Sequence, residues 1–349
     1  MKVYGTLGIV SAVVIAALII SVIYVIPSLS ESTVQTKNNS NLKIAVVTDG
    51  NFSDNGWGQS SLNAAHHLQE KYPSFTVSTE GNVAIPDIEL TLGRYAESGY
   101  DLIIAHGVQW GEPAKQIANQ YPATKIVVFT GLVQSQPNLA SIFPQQQQGS
   151  FLLGALAGMM SKTGIIGFVG GEEYPNVINI LEGYKQGAKM VNPNIVVIDT
   201  FLNDWDSPAK GKEAATSIIR GGADIMFHVA DSSGHGVIDA AKEKGIYALG
   251  AVQDQNHLAP DTILTSFVLD TDKAYENAVT MVTNGNFTGT ILRPGIELDA
   301  GSEGQGIVYL APFHGLDDKI PDSVKERLKD LTSKIMDGTI VVPERLGED

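Results

Sequence analysis

Carboxylates and tryptophans recur in this chain at one kind of place, a short polar loop at the end of an apolar run. Asp49, Asp54 and Trp57 follow LKIAVVT, and His106 to Trp110 close the run DLIIAH. Asp204-Trp205-Asp206 come after IVVIDT, Asp231 to Gly236 (with Gly234 among them) after ADIMFHV, and Gln253-Asp254-Gln255 after IYALGA. All three tryptophans of the chain lie in these loops. A tryptophan in a polar loop, rather than in a core, points to ligand contact. Aromatic faces stack on flat rings, and carboxylates accept hydroxyl or N–H donors. The chemistry these residues suit is recognition of a planar polar molecule or a sugar.

Catalytic patterns are missing. Gly-x-Ser-x-Gly does not occur, and Gly211-Lys212 runs into Glu213 where a phosphate-binding loop needs serine or threonine. The glycines at 164, 167, 170 and 171 lack the dinucleotide spacing. His66 and His67 are adjacent and point to different helix faces, so they cannot chelate as an i, i+4 pair. Asp231-Ser232-Ser233-Gly234-His235-Gly236 brings nucleophile and base residue types together, but it reads better as a glycine-rich strand-to-helix turn. No cysteine is present, which removes disulfides, thiolate nucleophiles, cysteine zinc sites and a lipid-modified cysteine. No catalytic residue, metal site or cofactor is expected.

The elements that must position these loops alternate. Strands are expected at 42–48, 74–79, 101–106, 125–130, 164–169, 195–200, 223–229, 246–251 and 262–268. Helical patterns lie between them, near 57–71, 86–97, 112–120, 145–161, 176–190, 207–220, 234–244 and 270–284. Such alternation predicts parallel sheets covered on both faces. Runs such as DLIIAH and KIVVFT are apolar on both faces, as central parallel strands must be. In open sheets of this kind ligands bind at the carboxyl ends of the strands, beside helix N-termini. The stretch from Gly164 to Lys189 repeats the strand, polar loop and helix of Leu42 to Lys71, so two similar lobes are expected. Four consecutive glutamines, Gln145 to Gln148, open the buried helix FLLGALAGMM, whose small residues allow close packing. The stretch NGNFTGTILRPGIELDAGSEGQGIVYL reads as hairpin-like, and IPDSVKERLKDLTSKIMDG as a terminal amphipathic helix.

Composition narrows the partners. With 38 acidic against 23 basic residues, a net charge of −15, a nucleic-acid surface is not expected. Residues 1–30 carry no charge between Lys2 and the tether, which is long enough to span a bilayer. They read as a transmembrane anchor, or as a signal segment cut near Ser28-Leu29-Ser30. Residues 31–41 form a polar tether.

The segment from Asn138 to Pro193, with VVTDGNFSDNGWGQS, YDLIIAHG, DSPAKGKEAATSIIRGGADIMFHVADSSGHGVIDAAKEKG and APDTILTSFV, resembles the basic membrane protein (BMP) family. These are nucleoside-binding substrate-binding proteins of ABC transporters. The resemblance covers roughly residues 42–310. It implies the type I periplasmic-binding-protein fold: two Rossmann-like α/β lobes joined by three crossovers and closing on the ligand. The first lobe is then 42–142 plus 268–300, and the second 143–267 plus 301–349. On the same resemblance the family's first aspartate is Asp49, and its Asp-x-x-Phe-Asn-Gln run is Asp54 to Gln59 with Trp57 at the aromatic position. Its second-lobe aromatic is Trp205, and its glycine-rich turn is Ala230 to Gly234 with Asp231 in place of a glycine. The family's Asp-x-Asp-Gln keeps only Asp254 and Gln255, with Val252 at the first aspartate. A family lysine falls on Leu269, and a strand-ending aspartate falls on Thr130.

The expected ligand-binding set is therefore Asp49, Asp54, Trp57, His106, Trp205, Asp231, Gly234 and Asp254. The expected function is an extracytoplasmic, membrane-anchored, monomeric solute receptor delivering a ligand to an ABC permease, without enzymatic activity. The ligand is a nucleoside, a free base or another small polar molecule. A receptor that signals to a membrane partner is the alternative, and a nucleoside hydrolase is less favoured.

Overall fold

The computed structural model describes residues 41–296 and 306–346. The anchor or signal segment and most of the tether lie outside the described residues, as does the expected lobe boundary at 300/301. Among the described residues no helix is long and apolar enough to cross a membrane.

The chain begins β1 (Lys43–Thr48), α1 (Trp57–Lys71), β2 (Thr76–Glu80), α2 (Ile88–Glu97), β3 (Leu102–His106), α3 (Gly111–Gln120), β4 (Lys125–Phe129) and β5 (Leu139–Ile142). It continues α4 (Gln146–Met160), β6 (Ile165–Gly170), α5 (Pro175–Val191), β7 (Val196–Phe201), α6 (Pro208–Arg220), β8 (Ile225–Val229), α7 (Asp231–Lys244), β9 (Tyr247–Val252) and β10 (Ile263–Leu269). It closes with α8 (Thr271–Thr283), β11 (Ile291–Leu292), β12 (Val308–Leu310) and α9 (Asp322–Met336). Two six-stranded sheets result, in the orders β11-β5-β4-β3-β1-β2 and β12-β10-β9-β8-β6-β7. Every pairing is parallel except β10 with β12.

The physical reason is visible in the central strands. Ile103 and Ile104 point to opposite faces of β3, and both are fully buried. One face of the first sheet is covered by α1, the other by α2 and α3, and neither face meets water. In the second lobe α4 and α5 pack so closely that only glycine fits. A Cβ on Gly154 would stand 2.0 Å from the Tyr184 carbonyl oxygen, and one on Gly187 would stand 1.8 Å from that of Phe151. Any larger residue there must push the helices apart.

The chain crosses between the sheets three times: from β5 into α4, from β10 into α8, and from β11 to β12. The last corrects the hairpin expected there. β11 joins the first sheet beside β5 and β12 joins the second beside β10, so the two strands belong to different lobes. Strand β5, only four residues long, is an additional element that no expected strand covers, because so short a run carries no periodicity.

Candidate cleft between the two sheets

A cavity of about 360 Å³ is lined by loops from the carboxyl ends of strands in both sheets. On the first-lobe side Trp57 is a rigid plank. Its ring lies 3.8 Å from that of His106, which stacks on Phe129 at 4.9 Å and 14°. Tyr275 Oη bonds His106 Nδ1 at 2.8 Å from behind. The loop before Trp57 is folded tightly onto α1, since a Cβ on Gly58 would meet the Asn51 carbonyl oxygen at 2.2 Å. Asp54 fixes that loop by accepting from the amides of Gly56 (2.8 Å), Gly58 (2.7 Å) and Gln59 (3.0 Å). These are the orphan donors of a helix N-terminus. Asp49 is oriented by the indole N–H of Trp110 at 3.2 Å and by the Gln109 carboxamide. Burial nevertheless holds the Asp49 and Asp54 carboxyls above their usual range.

Across the cleft Trp205 lies flat on the backbone of Gly171, where a Cβ would be 2.2 Å from the indole ring. Tyr174 sits at its side, 5.9 Å between centroids. Asp231 opens α7 with φ +44°. Burial and the nearby carboxylates of Asp54 and Asp49 push its carboxyl well up, while the Trp57 backbone amide pulls the other way. Two further links join the lobes: the Gln253 carboxamide donates to the Gly56 carbonyl at 2.8 Å, and that of Gln255 to the Asn55 carbonyl at 3.1 Å.

Three polar groups on the cavity wall have no partner within the described residues. They are Thr130 Oγ1, Gln146 Oε1 and Asn176 Oδ1. Thr130 is fully buried and Gln146 is 3% exposed. A buried unsatisfied polar group costs roughly 1–3 kcal/mol, so such groups mark places where another molecule completes the bonding. Backbone strain gathers at the same wall. Thr130 (φ +61°) and Val252 (φ +69°) are β-branched residues in the left-handed region. Each costs on the order of 1–3 kcal/mol there.

Comparison with known proteins supplies the family and agrees with the fold. Residues 41–345 match the model of the Bmp family, the PnrA-like substrate-binding proteins of ABC transporters. The chain belongs to the basic membrane protein family. It is 30% identical over 311 residues to basic membrane protein A of Borreliella afzelii, covering 86% of this chain and 91% of that one. It is 28% identical over 301 residues to a purine-binding protein of Brucella abortus, covering 86% and 82%. Its fold matches an ABC-transporter solute-binding protein of Aeropyrum pernix, with TM-score 0.76, 22% identity, and 87% and 94% of the two chains covered. The family's own description is of substrate-binding proteins of ABC transporters.

Within this basic membrane protein cleft, five of the eight expected residues line the cavity: Asp49, Asp54, Trp57, Trp205 and Asp231. Three do not. His106 is fully buried beneath Trp57, and desolvation lowers its pKa to about 3, so it is a neutral platform. Gly234 is a packing glycine in the first turn of α7, where a Cβ would stand 2.1 Å from His228 Nδ1. Asp254 faces a separate shallow hollow, caps the Asn256 amide at 3.1 Å and meets His314 Nε2 at 2.6 Å. Trp110 is also fully buried and acts through Asp49. Asp206 lines the cavity as its strand-end loop suggests, whereas Gln146, Asn176, Glu172 and Tyr174 line it without having been expected to. The four-glutamine run was the available signal. Gln145, Gln147 and Gln148 bond to Glu344, to Asn179 and to the Ile296 amide around the crossovers, and Gln146 alone turns to the cavity.

Proposed function

We propose that this chain is the receptor of an ABC importer, and that it holds a nucleoside or related planar polar solute between Trp57 and Trp205. The observation that carries this reading is the pair of tryptophans, one from each lobe, each backed by a rigid support and both facing one cavity. Asp49 and Asp231 are the readers of ring N–H groups. Asp54 serves them indirectly, because its oxygens already hold the α1 amides. The purine-binding relative supports a nucleobase as the stacked ring. The bound solute is handed unchanged to a permease. The uncharged stretch from Val3 to Ser30 holds the receptor, as a monomer, on the outer face of the membrane.

Base stacking on an aromatic ring contributes about 1–3 kcal/mol per contact. Trp57→Ala and Trp205→Ala should therefore each weaken nucleoside binding about 5- to 150-fold by calorimetry. The unliganded melting temperature should move less than the affinity, since both rings are only partly buried at the cavity wall. A variant that binds as tightly as the wild type would refute the sandwich.

A further inference from the structure

We propose that the cleft selects a cation: a planar nitrogen heterocycle that carries a positive charge when bound. This rests on the reading of the cavity as the ligand site and names the charge of what fills it. Five carboxylates line the cavity, those of Asp49, Asp54, Glu172, Asp206 and Asp231. No lysine or arginine is among the described lining residues. None of the five has a lysine or arginine partner in the ion pairs of the described residues. Only Asp54 is well compensated, by three backbone amides. Asp49 has two neutral donors, from Trp110 and Gln109.

Three aromatic faces, Trp57, Tyr174 and Trp205, stand among these carboxylates. A ring face is the negative pole of the aromatic quadrupole, and tryptophan is its best example. Acids and aromatic faces together are complementary to a cation, and each term grows as water leaves the site. A neutral ring would take the stacking but leave the carboxylates repelling one another. An anion would face repulsion from every acidic wall group. The mutual effect of those groups is already felt: Asp231 is pushed well up by burial, Asp54 and Asp49, and Asp49 feels Glu172.

The acidic cluster alone would not define a site. The independent sign of a ligand is the pair of buried, unpartnered groups on the same wall, Thr130 Oγ1 and Gln146 Oε1. Both can accept a hydrogen bond, as a protonated or amino-bearing heterocycle requires.

The test compares isomers that differ in charge and little in shape. 1-Methyladenosine is protonated and so cationic at neutral pH, and N6-methyladenosine, an isomer of its free base, is neutral. Calorimetry at pH 7 with the whole chain should give at least about tenfold tighter binding of the cation. The preference should fall several-fold in Glu172→Gln and in Asp231→Asn, while stacking keeps both ligands bound. Equal affinity, or tighter binding of the neutral isomer, overturns the proposal while leaving the base-stacking reading intact. If neither isomer binds, that reading fails, and a second pair decides the charge: 1-methylnicotinamide, a cation, against neutral nicotinamide. Thermal stabilisation by the cation alone supports the proposal, and its absence overturns it.

Discussion

Replacing Asp231 by asparagine should stabilise the empty protein and weaken ligand binding. Asp231 is held at φ +44°, a conformation asparagine adopts about as readily as aspartate, so the backbone is unaffected. What changes is charge. The Asp231 carboxyl is pushed well up, first by burial, then by Asp54 and Asp49, with Asp206 adding to the effect. The sign follows from linkage. A carboxyl whose folded pKa lies above its unfolded value binds more protons when folded, so it opposes folding once pH rises above that value. Asparagine removes this opposition. Relieving such a like-charge contact contributes about 0.5–2 kcal/mol, reduced here by the water that reaches a half-buried group. The unliganded melting temperature at pH 7 should rise by about 2–4 °C per kcal/mol gained. The gain should shrink toward pH 4, where the wild-type carboxyl is protonated and already neutral. Binding should weaken about tenfold, since an ionised hydrogen-bond acceptor contributes about 1.5–3 kcal/mol. Thermal unfolding at pH 7 and pH 4, with calorimetry at pH 7, measures all three quantities. A lower melting temperature at pH 7, or a gain equal at both pH values, would refute the reasoning.

Gln146→Leu should leave the empty protein as stable as the wild type or slightly more so, because it removes an unpartnered buried oxygen. The same change should weaken ligand binding about 5- to 150-fold if the ligand completes that bond, and calorimetry with unchanged affinity would exclude Gln146 from the site. His228 is 1% exposed and burial lowers its pKa to about 4, so its contribution is intact above the unfolded value near 6.5 and is lost as pH falls toward 4. Between pH 7 and pH 5 the wild type should lose about 2 kcal/mol that His228→Met does not lose, which urea unfolding at the two pH values measures; parallel losses would show that His228 does not titrate on unfolding.

The sequence by itself determined the alternation of strands and helices, because short β-branched apolar runs bounded by polar loops alternate with longer helical patterns. It also pointed to the strand ends as the place of a site, and it placed Trp57, Trp205, Asp49 and Asp231 there through their polar loops. It did not separate the residues that touch the cavity from those that support them. Trp110 and His106 stand in the same loop as plausible contacts, but only packing shows that one orients Asp49 and the other underlies Trp57. Asp254 follows a strand end as Asp231 does, yet its loop turns it toward His314 and away from the cleft. Gln146 is one of four identical neighbours, and only the helical turn after the crossover decides which of them faces the cavity. Strands β5 and β11, four and two residues long, are too short for periodicity to reveal and exist because each finds a partner across the sheet edge. Local pattern fixes which segments are strands and helices; which side of each meets the cavity is settled by contacts between residues far apart in the chain.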